Sequence, residues 1–294
     1  MYLLQVVTME DGNLRVRNFT DNAKKKVAHV EVLLEPDLIF PTLRGREVKR
    51  WQAIPEIAIL IPQNPENPSN AMSPQLLHDR FRKTFDYLNS FHDDLVGRSI
   101  LKQYLQNQPF YAIYNTGPYT FKPFKAVWTR VGDDLRCAVV GDHKIGHLSN
   151  EVVTPIETVV FVAFEDLDES HFFCAMLNST PSRFTISSYS NKGSGGFGSP
   201  HILEHVAIPK YQSENALHEE LAHLSRSCHE KTAIGIDVSD LEAQIDLLSA
   251  ELWDLTKAEL QEIQESHLTS KIDSAKEPPR LQPKGRRIVT LDQP

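Results

Sequence analysis

Polar and apolar positions near the start of the chain follow the two-residue period of strands, and those near its end the 3.6-residue period of helices. Leu3 to Thr8 and Val27 to Leu34 are β-branched and partly alternating, with a turn at Asp11-Gly12, so both read as strands. Glu56 to Ile61 is an apolar run stopped by Pro62 and reads as a buried strand, whereas Gln63 to Met72 is rich in Asn and Pro and reads as loop. Ser73-Pro74 then opens a helix, with serine at the N-cap and proline at the first helical position, where its missing N–H is not needed. Leu77, Phe81, Phe85, Leu88, Phe91 and Leu95 follow as one apolar stripe, and Gly97 supplies a stop.

From Pro109 to Val140 aromatic and β-branched residues are broken by Gly and Pro, which predicts short strands. Glu157 to Glu165 predicts a buried strand, and Asp168 a cap for a short helix through Phe172, Phe173, Met176 and Leu177. Asn191 to Pro200 reads as a glycine-rich loop and His205 to Pro209 as a short strand. Beyond Tyr211 the pattern is long polar helix. Ser239-x-x-Glu242 and Thr256-x-x-Glu259 have the spacing of capping boxes, each followed by helix-period apolar residues. From Thr269 the chain is rich in proline and charge and reads as a disordered tail. The expected class is α+β: a mixed, mostly antiparallel sheet domain with packed helices over 1–211, an acidic helical segment over 212–268, and the tail over 269–294.

Composition changes this picture in two places. The 294 residues carry a net charge of −8, which by itself argues against a polyanionic partner. The charge is unevenly spread, however. Pro41 to Ile145 holds 14 Lys+Arg against 10 Asp+Glu, and Gln212 to Glu277 holds 5 against 15, so an acidic annex masks a mildly basic body. Cys137, Cys174 and Cys228 are odd in number and widely spaced, which predicts buried free thiols rather than disulfides or a zinc site. No apolar run approaches the ~18 residues of a membrane span, and the first apolar stretch breaks at Glu10-Asp11-Gly12, so a cytosolic location without membrane contact is expected.

Two motifs tempt. His218-Glu-Glu-Leu-Ala-His223 has its second histidine at i+5, about 140° round the helix from the first, whereas a zinc-binding pair needs i+4 to share a face. It reads as solvated helix surface, and no metal is expected. Gly193-Ser-Gly-Gly-Phe-Gly198 matches a dinucleotide fingerprint in letters, but Pro200 and Pro209 leave no room for the helix that would receive the pyrophosphate. It reads as a flexible turn, or as a slim loop that lets backbone amides approach phosphates with Lys192, Ser194 and Phe197 as contact groups. No nucleophile elbow and no phosphate-binding P-loop is present.

Several segments, taken in order, resemble the target-recognition (specificity) domain of adenine-N6 DNA methyltransferases from type I, type IIG and related phage-defence systems. They are Pro41-Thr-Leu-Arg-Gly-Arg-Glu-Val-Lys-Arg-Trp51, Phe85 to Arg98, Phe121-Lys-Pro-Phe-Lys-Ala-Val-Trp128, Ala175-Met-Leu-Asn-Ser179 with the Ser/Gly loop and Ile202 to Pro209, and Glu242 to Ile263 with Leu252-Trp-Asp-Leu-Thr256. The similarity runs over roughly residues 35 to 265, and a tyrosine usually stands at the place of Trp253. The resemblance implies double-stranded DNA as partner, a methyltransferase or nuclease subunit beside it, and S-adenosylmethionine held by that catalytic part. The catalytic motif of those enzymes, Asp/Asn/Ser-Pro-Pro-aromatic, is absent: Pro278-Pro279 is followed by Arg280. No catalytic residue is therefore expected here. The DNA-contact candidates are Arg44, Arg46, Lys49, Arg50, Arg98, Lys122, Lys125, Arg130 and Lys192, with Ser194 and Gly195 from the glycine loop. The alternative is an assembly subunit of such a complex without DNA contact.

Overall fold

The computed structural model describes residues 1–20, 27–189, 196–198 and 200–276. Its first hairpin follows from Asp11-Gly12. Both residues take positive φ, 47° and 76°, the twist that suits a two-residue turn between right-handed strands. The turn joins β1 (Leu3–Glu10) to β2 (Asn13–Asn18). The sequence reading had no strand at β2, although Leu14 and Val16 point into the core while Arg15 and Arg17 pair with Glu10 and Glu31 on the other face. With β3 (Glu31–Leu34), β4 (Ile39–Thr42) and a later strand they form a five-stranded antiparallel sheet.

Two small hairpins lie along the way. β5 (Val48–Lys49) and β6 (Gln52–Ala53) turn through Arg50-Trp51, and Trp51 sits at φ 62°. β7 (Ile57–Leu60) is the expected buried strand, lying inside the large sheet between β1 and β4. Where a loop was expected, β8 (Gln63–Asn64) and β9 (Asn67–Ala71) make a two-stranded ribbon. Its prolines fit because Pro65 occupies the turn and Pro68 lies in an isolated ribbon, where a missing N–H is tolerated.

The apolar stripe after Ser73 becomes three helices rather than one. α1 (Pro74–Arg80) begins with Ser73 accepting from the Leu76 amide at 3.2 Å. The chain kinks at Phe81, continues as α2 (Arg82–Ser90), kinks again at Phe91 and runs on as α3 (His92–Val96) and α4 (Ser99–Tyr104). The stripe still does what its spacing dictates: Leu77, Phe81, Leu88, Phe91 and Leu95 cover the five-stranded sheet.

β10 (Phe124–Thr129), β11 (Cys137–Val140) and β12 (Val159–Phe164) form a second antiparallel sheet, order β11-β10-β12. One face, with Ala126, Trp128 and Cys137, packs on α5 (Leu167–Asn178); the other, with Val127, Ala138 and Val140, packs on Leu43 and Val48. β12 has apolar neighbours on both faces, but as an edge strand it keeps its four central residues only half-buried, less than its near-continuous apolar run predicts. α5 is capped by Asp166, which accepts from the Glu169 amide at 2.9 Å, and not by Asp168. α6 (Thr180–Tyr189) was not expected, and His205 to Pro209 is no strand: Pro200–His205 forms a 3-10 turn instead.

α7 (Ala216–Ala233), α8 (Ser239–Leu252) and α9 (Lys257–Lys276) complete the chain. Leu221, Ala222, Leu224, Cys228 and Ile245 join the same core as Trp128 and Phe172, so α7 and α8 bury their apolar stripe against α5, while α9 packs on α6 and α8. α9 continues past Thr269 to Lys276, and the rest of the expected tail, 277–294, lies outside the described residues. The fold is α+β, mostly antiparallel, with a helical C-terminal region. Cys137, Cys174 and Cys228 are free and buried, as expected.

The two capping boxes part company. At Thr256 the exchange is reciprocal: Glu259 Oε2 accepts from the Thr256 amide at 2.8 Å, and Thr256 Oγ1 accepts from the Glu259 amide at 3.3 Å. At Ser239 no box forms, because Val238 is the N-cap and Glu242 faces Trp51 and Arg50. Thr256→Ala should therefore cost about 1 kcal/mol in chemical denaturation, and Ser239→Ala less than about 0.5 kcal/mol. Equal losses would contradict this assignment of the caps.

Candidate functional site

The described candidate cations divide by whether their hydrogen bonds close inside the protein. Arg44 is 9% exposed. Its Nε donates to Glu47 Oε1 at 2.6 Å and its Nη2 to Glu56, while the guanidinium lies 4.7 Å from the Phe19 ring. Arg50 donates to the Asn178 carbonyl at 2.9 Å and pairs with Glu242 at 3.0 Å. Arg98 donates to the carbonyls of Leu95, Phe110 and Ala112 at 3.0, 2.7 and 2.9 Å, which closes the loop after α4. Lys125 is fully buried on the Val127 face of β10, donates to the Lys122 carbonyl at 2.6 Å, and has its pKa lowered to about 8 by burial. These four tie the fold together.

The others face water. Arg46 is 57% exposed, 3.8 Å from Glu47 and from Glu56, and Lys49 is exposed on its hairpin. Arg130 is exposed at the end of β10, donating to the Glu157 carbonyl at 3.2 Å. Thr158 brings two of these neighbourhoods together, because its hydroxyl accepts from the Gly45 amide at 3.0 Å and its carbonyl from the Arg130 amide at 3.1 Å. A Cβ on Gly198 would overlap the Arg130 side chain, so the end of the glycine loop lies against the same place. Lys122 stands at the opposite end of β10, 3.7 Å from Glu165. Lys192, Ser194 and Gly195 lie outside the described residues.

The motif Ala175-Met-Leu-Asn-Ser179 has a clear physical role. The Asn178 amide brackets Cys137, accepting from its N–H at 2.9 Å and donating to its carbonyl at 2.8 Å, as a neighbouring strand would. Ser179 Oγ donates to the Met176 carbonyl at 2.7 Å, and the Thr180 amide donates to Asp246 Oδ1 at 2.7 Å where α5 ends. Trp51 extends the seam: its indole N–H donates to Glu242 at 2.6 Å and its amide to the Cys137 carbonyl at 3.1 Å. Trp51 and Trp128 are core residues, and Phe121 packs on Phe40. The bonds of Asn178 and Trp51 join the β5–β6 hairpin, β11, α5 and α8.

Sequence reasoning missed a second buried polar group. His229 accepts from the Val139 amide at 2.9 Å through Nε2, and its Nδ1 lies 2.7 Å from the Ser225 carbonyl. His171 Nδ1 meets Ser225 Oγ at 3.0 Å, and its ring meets His229 edge-on. Isolated histidines on helices gave no local signal of this. In the His218 motif, His218 is buried and accepts from the Gln212 amide at 3.1 Å, while His223 is exposed, so the two face different ways. Among the described residues no group of three or more His, Cys, Asp or Glu could hold a metal ion, and no helix is long and apolar enough to cross a membrane.

No family model matches the chain. It is similar to the Type II methyltransferase M.NspV of Nostoc sp. (strain ATCC 29411 / PCC 7524), at 31% identity over 112 residues. The similarity is to part of a type II methyltransferase. The matched stretch is 38% of this chain and spans 22% of that relative's length.

Proposed function

We propose that this chain is the DNA-reading part of an adenine-methylating restriction–modification or phage-defence system of type IIG or a related kind. The methyltransferase centre and its S-adenosylmethionine then lie in another chain or domain. The observation that carries this reading is the similarity to a fraction of a type II methyltransferase. The ordered resemblance to a recognition domain and the missing Pro-Pro-aromatic motif support it. Arg46 and Arg130, with Lys49 nearby in sequence, supply exposed cations to position the phosphate backbone, and the acidic α7–α9 region suits a protein neighbour better than DNA.

One observation favours the assembly-subunit reading: Arg44, Arg50, Arg98 and Lys125 bond within the protein. Fluorescence anisotropy with labelled duplex separates the two. The double variant Arg46→Glu/Arg130→Glu should weaken binding roughly 10-fold or more at low salt, since each reversal removes a phosphate contact and adds repulsion. An unchanged affinity would remove Arg46 and Arg130 from the DNA contact, and no binding by the wild type would favour the assembly role.

A further inference from the structure

The ribbon of β8 and β9 is unusual in how it is braced. Gln63 Nε2 donates to Thr116 Oγ1 at 2.9 Å, and Gln63 Oε1 accepts from the Ile113 amide at 3.2 Å. Gln108 accepts from the Ala71 amide at 3.0 Å and donates to Asn70 Oδ1 at 2.7 Å. Three amide side chains thus bolt the base of the ribbon to the 108–116 segment. At the turn, Asn64 Oδ1 accepts from the Glu66 amide at 3.0 Å and fixes the loop. What remains at the tip is polar and outward: the Glu66 carboxylate and the Asn67 amide are exposed and make no hydrogen bond or ion pair among the described residues. Tyr114 in the 108–116 segment and Tyr104 at the end of α4 are 45% and 61% exposed, with ring centroids 4.9 Å apart and the rings tilted by 37°.

Resting on the DNA-reading proposal, we infer that this ribbon enters the major groove of duplex DNA and is a specificity determinant, Asn67 and Glu66 reading base edges. A major groove of about 12 Å admits a two-stranded ribbon, and the tip carries the groups that suit its edges. An asparagine amide bonds adenine N6 and N7 together, and a carboxylate accepts from cytosine N4. A carboxylate at the tip would be repelled by phosphates, which places it on bases rather than on the backbone. The bracing holds the tip in place before binding, so little conformational freedom is lost on docking.

The test is selection by the full chain from a pool of duplexes with a randomised centre, at low salt, repeated with Asn67→Ala and with Glu66→Gln. Thermal melts of both variants confirm the fold. If the wild type enriches a sequence, each variant should relax the preference at one base pair, discrimination there falling about 10-fold while the salt dependence stays the same. Variants that enrich the same sequence equally overturn the ribbon assignment and leave DNA reading in place. A wild type that enriches nothing, both alone and with a candidate methyltransferase partner added, overturns the DNA reading, and the ribbon assignment with it.

Discussion

Asp134→Ala is expected to lower the stability of the fold by about 3–5 kcal/mol, the range found when one partner of a buried ion pair is removed. Asp134 and Arg183 pair with side chains 10% and 4% exposed. Arg50 lies in the same field, where burial and then Arg183 lower its pKa while Glu242, Asp134 and Asp246 oppose them. Removing Asp134 leaves two guanidiniums sharing a buried site with fewer counter-charges. Its neighbour Asp133 is the internal control. It is 81% exposed and pairs with Arg136 at 2.8 Å on the surface, so Asp133→Ala should cost less than about 1 kcal/mol. Urea denaturation of the two variants checks this, and similar losses would contradict the claim that the Asp134 pair holds the β10–β11 turn to α6.

Acid should destabilise the protein through His171. Burial, helped by His229, lowers its pKa from 6.5 to about 3. In the unfolded chain the ring takes up a proton near the ordinary value. Between those limits the unfolded state binds more protons, so this contribution is complete above pH 6.5 and shrinks as pH falls, by at most about 1.4 kcal/mol per unit. His171→Asn places an amide where Nδ1 meets Ser225 and cannot titrate. Relative to that variant, the wild type should lose an extra 2–3 kcal/mol, approximately, between pH 6 and 4. Parallel stability curves would show that His171 protonates in the native state without penalty.

These expectations also mark what was legible in the sequence. The buried strand at Ile57–Leu60, the strand at Val159–Phe164 and the Thr256 cap were readable because their causes are local: an apolar run, or a box four residues wide. The Ser239 box failed for a nonlocal reason, since its glutamate bonds a tryptophan 191 positions away. The ribbon at 63–71 was hidden because Asn and Pro signal loop, whereas its stability comes from Gln108 and Thr116, far along the chain. The same logic governs the cations. Nothing beside Arg98 or Lys125 in sequence reveals that three carbonyls close around one and that the other is fully buried.

The most direct measurement is the affinity of the full chain for pooled duplex DNA as salt is raised, alone and with a candidate methyltransferase partner added. DNA reading predicts binding at low salt, with the logarithm of affinity falling linearly as the logarithm of salt concentration rises, at a slope of about −0.9 for each phosphate contacted. No duplex binding at low salt in either setting would contradict it.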